Sequence, residues 1–266
     1  MRRMIVLVAA IVASAPLAAH DLLFRLDTYF VGPGARIAVP VLNGTFVKSS
    51  NAVARDRLAD LSLVGPDGRQ AIDRQHWTEA EPQSTITVTV GRAGTYVLGA
   101  AVAPRLIEMT AEEFNAYLKE DGIEQALAER TATGRLHQPA KERYAKYVKA
   151  IFQVGETRSA TFNTVLGHHA EIVPIENPYS LRTGRTLGVR ALVMGKPLAR
   201  YAIFAGGHDG KADIPVQRLV TDAEGIARVA LTQRGSWYVK FIHMEELSRG
   251  DVTHESRWAT LSFAVR

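Results

Sequence analysis

The chain has 266 residues, no Cys, 21 Gly, 11 Pro and 22% charged residues, which excludes a disordered chain, a disulfide-stapled scaffold, a collagen and a coiled coil and leaves one or two ordinary domains. Hydrophobic residues make up 47% of it, enough at this length to bury a core without a metal or disulfide to staple it. The formal charge is +5, and because Lys and Arg are interleaved with acids over most of the length, no basic stripe for nucleic acid is formed.

Arg2 and Arg3 precede the apolar run Ile5 to Ala13, followed by small residues and Pro16-Leu17-Ala18-Ala19. This order of basic, apolar and small-residue regions predicts a secretory signal peptide over 1–19, too short for a comfortable membrane span. Ala13-Ser14-Ala15 also fits the cleavage rule, but Pro16 after it would block the peptidase. Cleavage after Ala19 is therefore expected, leaving His20 as the first mature residue in the periplasm. No later stretch is long and apolar enough to cross a bilayer.

From Leu22 the pattern alternates: Leu22, Phe24 and Leu26 share a face, a turn follows at Gly32-Pro33-Gly34, and Ile37, Val39 and Val41 resume. Leu61 and Leu63 run into the Gly65-Pro66-Asp67-Gly68 turn, and Ile86, Val88 and Val90 form a hairpin with Tyr96-Val97-Leu98. Alternation between turn signals predicts half-buried strands, so the first hundred residues read as a β-sandwich.

The period then changes. Thr110 to Glu113 forms a capping box, with Phe114, Tyr117 and Leu118 at helical spacing and Gly122 as the stop. After Pro139, the spacing of Tyr144, Tyr147, Val148 and Ile151 predicts a second helix, with Lys141, Lys146 and Lys149 on its solvated faces and Glu142 four before Lys146. Its basic face suits solvent or docking to an anionic surface.

Alternation returns at Phe162, Thr164 and Leu166 and runs through Glu171 to Ile175. Val189, Ala191 and Val193 follow, then Tyr201 and Ile203, then Val229 and Leu231. Trp237, Val239, Phe241 and His243 share a face, and Trp258 to Val265 closes the chain. The predicted class is mainly β: two immunoglobulin-like β-sandwich domains, 20–165 and 166–266, with a helical insertion over about 105–153.

No Gly-x-Ser-x-Gly elbow, phosphate-cradling glycine loop or His-Glu-x-x-His motif occurs, and no Cys can act as nucleophile or zinc ligand, so an enzyme is not expected. Adjacent acids such as Glu245-Glu246 read as ordinary surface. The histidines carry more information. Cleaved before His20, the chain offers an α-amine and an imidazole Nδ1 that close on one metal in a chelate ring. The amine has a reference pKa near 7.7 to 8.0, so a divalent metal displaces its proton at modest cost. One further imidazole would complete a nitrogen site suited to Cu(II) or Ni(II). His243 is expected inward at the rim of the second sandwich. His168 and His169 point to opposite faces if they lie on a strand, so one of them could join a site. His254 precedes the last strand, and His76, His137 and His208 lie in polar, loop-like contexts.

Several segments together resemble a bacterial periplasmic domain-of-unknown-function family related to NikM-type substrate-binding components of nickel and cobalt uptake. They are Ala19-His20-Asp21, Glu142 to Ala150, Glu171 to Pro178, Met194 to Leu198 and Trp258 to Phe263. The resemblance implies an exported two-sandwich protein that binds a transition metal, beside an outer-membrane receptor or an inner-membrane metal transporter. The expected ligands are His20, His243 and His168; the expected metal is nickel or cobalt, with copper as competitor. The alternative is a metal-free immunoglobulin-like module for a protein or carbohydrate partner, with Trp77, Tyr179 and Tyr201 as contacts.

Overall fold

The computed structural model describes residues 20–266; the leader expected over 1–19 lies outside them. In chain order the strands of the first half are β1 (Asp21–Phe24), β2 (Phe30–Val31), β3 (Arg36–Gly44), β4 (Leu58–Gly65), β5 (Gly68–Ala71), β6 (Trp77–Ala80), β7 (Gln83–Thr89), β8 (Gly94–Met109) and β9 (Ala140–Val154). Helices α1 (Ala111–Glu120) and α2 (Glu124–Ala132) connect β8 to β9. The second half holds β10 (Ala170–Pro174), β11 (Thr186–Val193), β12 (Lys196–Pro197), β13 (Ala202–His208), β14 (Asp213–Val220), β15 (Ile226–Ala230), β16 (Gly235–Glu246) and β17 (His254–Val265).

The protein is mainly β, with several sheets. The largest runs β14-β13-β16-β17-β9-β8-β4-β5, with β2 beside the end of β9. A smaller sheet from the first half has the order β1-β3-β7-β6, and one from the second half groups β10, β11, β12 and β15. The two small sheets cover opposite faces of the large one. On one face Thr260 and Ser262 of β17 donate to the Leu22 and Phe24 carbonyls of β1. On the other, Lys149, whose β9 position pairs with Leu261, reaches Glu171 of β10 at 3.0 Å. Strand alternation separates these two sets of side chains. The sheet also crosses the expected boundary at 165/166, since β9 and β17 lie side by side in parallel and one apolar core runs through both halves.

The expected alternation holds in most strands, but residues 160–163 form a 3-10 turn instead of opening a strand at Phe162, and β7 and β8 lie in different sheets instead of pairing as a hairpin. Leu22, Phe24, Val39, Val41, Ile86, Val88, Trp237, Val239 and Phe241 are all buried. Helix α1 begins on the expected capping box: Thr110 accepts the Glu113 N–H while the Glu113 carboxylate accepts that of Thr110. Phe114, Tyr117 and Leu118 pack with Trp258 and Ile242 against the large sheet, and Gly122 leaves the helix at φ +68°. Thr110→Ala should cost about 1 kcal/mol, measured by urea denaturation, with Thr110→Ser retaining most of the stability.

The second predicted helix is wrong. Residues 140–154 form β9, and among the described residues α-helix is confined to 111–132 instead of about 105–153. The stripe Tyr144, Tyr147, Val148 and Ile151 matches a helix, but a strand covered on both faces need not alternate. From Ala145 to Val154 every residue of β9 is buried. Lys146 and Lys149 are buried with it instead of facing solvent.

Candidate functional site

Antiparallel pairing of Asp21 with Gly44 and of Leu22 with Asn43 fixes the head of β1. Lys146 reaches across from β9 to donate to the His20 carbonyl and, at 3.0 Å, to Asn43 Oδ1. Beside it Lys240 of β16 donates to Asp21 Oδ2 at 2.7 Å and lies 3.8 Å from Oδ1 of Asp121, the residue that ends α1. Lys146, Lys240, Asp21 and Asp121 are largely covered. Asp21 Oδ1 is fully buried and has no hydrogen-bond partner.

Burial and the nearby ammoniums set the protonation states here. Burial lifts the Asp121 carboxyl to about 7, against the pull of Lys240, and lowers Lys146 to about 8. Burial also pulls Lys240 down, but Asp21 and Asp121 more than offset it and the net shift is upward. Burial and Lys146 lower the His20 imidazole below its ordinary 6.5, with Asp21 opposing. His20 is therefore neutral at neutral pH, the form that ligates metals.

The other two expected ligands lie elsewhere. His168, in the loop before β10, bonds Asp60 Oδ2 through Nε2 at 2.9 Å, and its Nδ1 is buried without a partner. Asp60 also receives Arg69 at 3.0 Å and Ser62 at 3.2 Å. Its carboxyl is held below the usual range: burial raises it, and the contacts from His168 and Arg69 outweigh that. His168 and His169 both flank the Tyr147 ring, with centroids 5.6 and 5.8 Å away.

His243 stacks near Tyr201 at 5.6 Å, and its Nδ1 lies 3.9 Å from Glu245 Oε1, beyond hydrogen bonding. Burial lowers its pKa, with Glu245 opposing. His243 pairs in register with Arg257 and thence Ala145, which puts it on the Tyr147 side of the large sheet. Lys146, which holds the His20 carbonyl, projects from the opposite side. The sheet thus stands between the head of β1 and both His168 and His243. Among the described residues, no three His, Asp or Glu side chains are grouped closely enough to hold a metal ion.

Sequence reasoning missed Lys146, Lys240 and Asp121. The helical spacing around Lys146 reads it as a helix-surface residue, and a lone Lys on an alternating strand reads as solvent-facing. The aromatic contacts proposed for a partner are buried: Trp77 is 0% exposed, Tyr179 6% and Tyr201 7%. Among the described residues, no helix is long and apolar enough to cross a membrane.

The model of a domain of unknown function, DUF4198, matches residues 17–245, most of the chain and both halves of the fold. The chain belongs to the DUF4198 family. No curated protein matches it. Among solved structures it is similar to a DUF4785 family protein from Legionella pneumophila, at 12% identity and TM-score 0.24, over 81% of this chain and 50% of that one. It is also similar to trypsin-activated alpha-2-macroglobulin from Escherichia coli, at 12% identity and TM-score 0.23, over 94% and 16%. A third is the D0-D1 domain of intimin, at 12% identity and TM-score 0.19, over 91% and 97%. The chain spans only half the length of the first and 16% of the second.

Proposed function

We propose that this DUF4198 chain is an exported, non-catalytic periplasmic protein that carries one transition-metal ion, nickel or cobalt with copper as competitor, at its processed N-terminus. In this reading it serves metal uptake beside an outer-membrane receptor or a metal transporter, as the sequence resemblance to NikM-type components would imply. Its two halves are immunoglobulin-like sandwiches sharing the large sheet.

The observation that carries the reading is the buried, unpartnered Oδ1 of Asp21, in the residue that follows His20, whose imidazole is kept neutral. A buried acceptor without a donor is costly, and a bound cation relieves that cost. Cleavage before His20 adds the α-amine, giving two nitrogens and a carboxylate oxygen within two residues, a donor set that suits borderline divalent metals. The site is smaller than the sequence suggested, because His168 and His243 supply nothing to it. Lys146 and Lys240 repel a cation, so affinity should rise as pH passes through about 8, where Lys146 loses its proton.

Isothermal titration of the chain beginning at His20 tests this. Ni(II), Co(II) or Cu(II) should bind at one site with a dissociation constant of about ten micromolar or tighter, near 7 kcal/mol. His20→Ala should weaken it at least roughly tenfold and Asp21→Asn less. Absence of saturable binding by all three metals would overturn the reading.

A further inference from the structure

A cavity of about 320 Å³ opens beside β2 and the C-terminal end of β17, lined by Arg158, Arg182, Arg234, Arg266, Phe30 and Tyr179 among others, with no acidic residue in its wall. None of the four arginines forms an ion pair among the described residues, whereas Arg69, Arg143 and Arg257 are each matched to a carboxylate. Even counting the carboxylate of the last residue, the wall keeps a surplus of positive charge. Four like-charged guanidiniums lining one concavity, with no acidic side chain among them, repel one another. A bound anion removes that repulsion.

The wall is also held in shape. Asn177 caps the turn Pro178–Ser180 by accepting the Tyr179 N–H, and the Tyr179 hydroxyl donates to the Ile151 carbonyl. Arg158 Nε donates to the Tyr179 carbonyl at 3.0 Å. Phe30 meets Tyr179 edge-on at 5.1 Å and takes the Arg266 guanidinium on its face at 3.4 Å. Two arginines are thereby oriented, while the side chains of Arg182 and Arg234 make no hydrogen bond among the described residues. Guanidinium forks match the paired oxygens of phosphate and carboxylate groups, and the volume is that of a small-ligand pocket.

We propose that this cavity binds a small molecule carrying at least two anionic oxygen-bearing groups, phosphoryl or carboxylate, with Arg182 and Arg234 as the free clamps and Phe30 and Tyr179 against its apolar part. Isothermal titration of metal-free protein at low salt, with pyrophosphate and with citrate in separate arms, tests this and tells the two chemistries apart. Saturable binding of either at a dissociation constant of about 0.1 mM or tighter is expected, weakened at least roughly tenfold by Arg182→Ala/Arg234→Ala. All four side chains are on exposed residues, so the variant keeps its fold. Arg74→Ala, an exposed arginine on the turn before β6, should bind as the parent does, and so should His20→Ala. Neither anion saturating below about 5 mM, or equal binding by the double variant and the parent, would overturn the proposal.

Discussion

Replacing Lys149 by methionine is expected to destabilise the protein by about 3–5 kcal/mol, because it strips the cation from a buried pair and leaves the anion behind. Lys149 and Glu171 side chains are 2% and 1% exposed and lie 3.0 Å apart. Lys149 also donates to the Thr164 carbonyl at 3.0 Å, and Glu171 accepts the Leu166 and Gly167 N–H groups at 2.7 and 3.0 Å. The pair therefore ties β9 of the large sheet to β10 and to the loop that joins the two halves. Burial lowers the Lys149 pKa, with Glu171 opposing. Lys149→Met/Glu171→Gln should recover part of the loss, since glutamine removes the stranded charge, although its single carbonyl oxygen replaces only one of the two carboxylate oxygens that accept the Leu166 and Gly167 N–H groups. Urea denaturation of the three proteins measures this, and a single-variant loss below about 1 kcal/mol would mean the pair is not desolvated.

Glu142→Gln should have the opposite sign and a strong pH dependence. Glu142 is buried beneath α1, where Ser256 donates to it and the Tyr117 hydroxyl donates at 3.3 Å. Burial lifts its pKa from 4.5 to about 7, against those two donors. The folded state therefore holds a proton that the unfolded chain releases above about 4.5. Its contribution to stability is complete below 4.5 and lost as pH rises through 7. At about 1.4 kcal/mol per pH unit the loss is on the order of 3 kcal/mol. Glutamine keeps the acceptor and never ionises. The variant should match the parent near pH 4, gain through the window from 4.5 to 7, and level off above it. His254, lowered to about 4 by burial and by Arg130 and Arg135, tilts the parent's own profile the other way between about 4 and 6.5. The difference between variant and parent isolates Glu142. A difference independent of pH would place its titration elsewhere.

Local pattern carried much of this fold. Period-two alternation marked β1, β3, β7 and β16, and the Thr110 capping box marked α1 to the residue, because each depends on neighbours within one turn or one strand. The β9 strand failed that reading for a physical reason: with sheets on both faces, the apolar residues at 144, 147, 148 and 151 fall at helical spacing by accident. Lys146 and Lys149 then look like solvated charges. Their partners, the His20 carbonyl and Glu171, are fixed only by tertiary pairing.

The same distance limit explains the site. The leader pattern singles out His20 only as an expected first mature residue. That His168 and His243 lie across the sheet from Lys146 follows from the registers of β16, β17 and β9, which no local window contains. The arginines of the Phe30 cavity are likewise scattered from Arg158 to Arg266 and meet only in the fold.

In the proposed function, a freed α-amine at His20 completes a metal site at the head of β1. Its most direct measurement is nickel titration of two proteins that differ only in whether one glycine precedes His20. Saturable binding by the chain that starts at His20, weakened at least roughly tenfold by the added glycine, is the predicted result. Equal affinity in the two would contradict it.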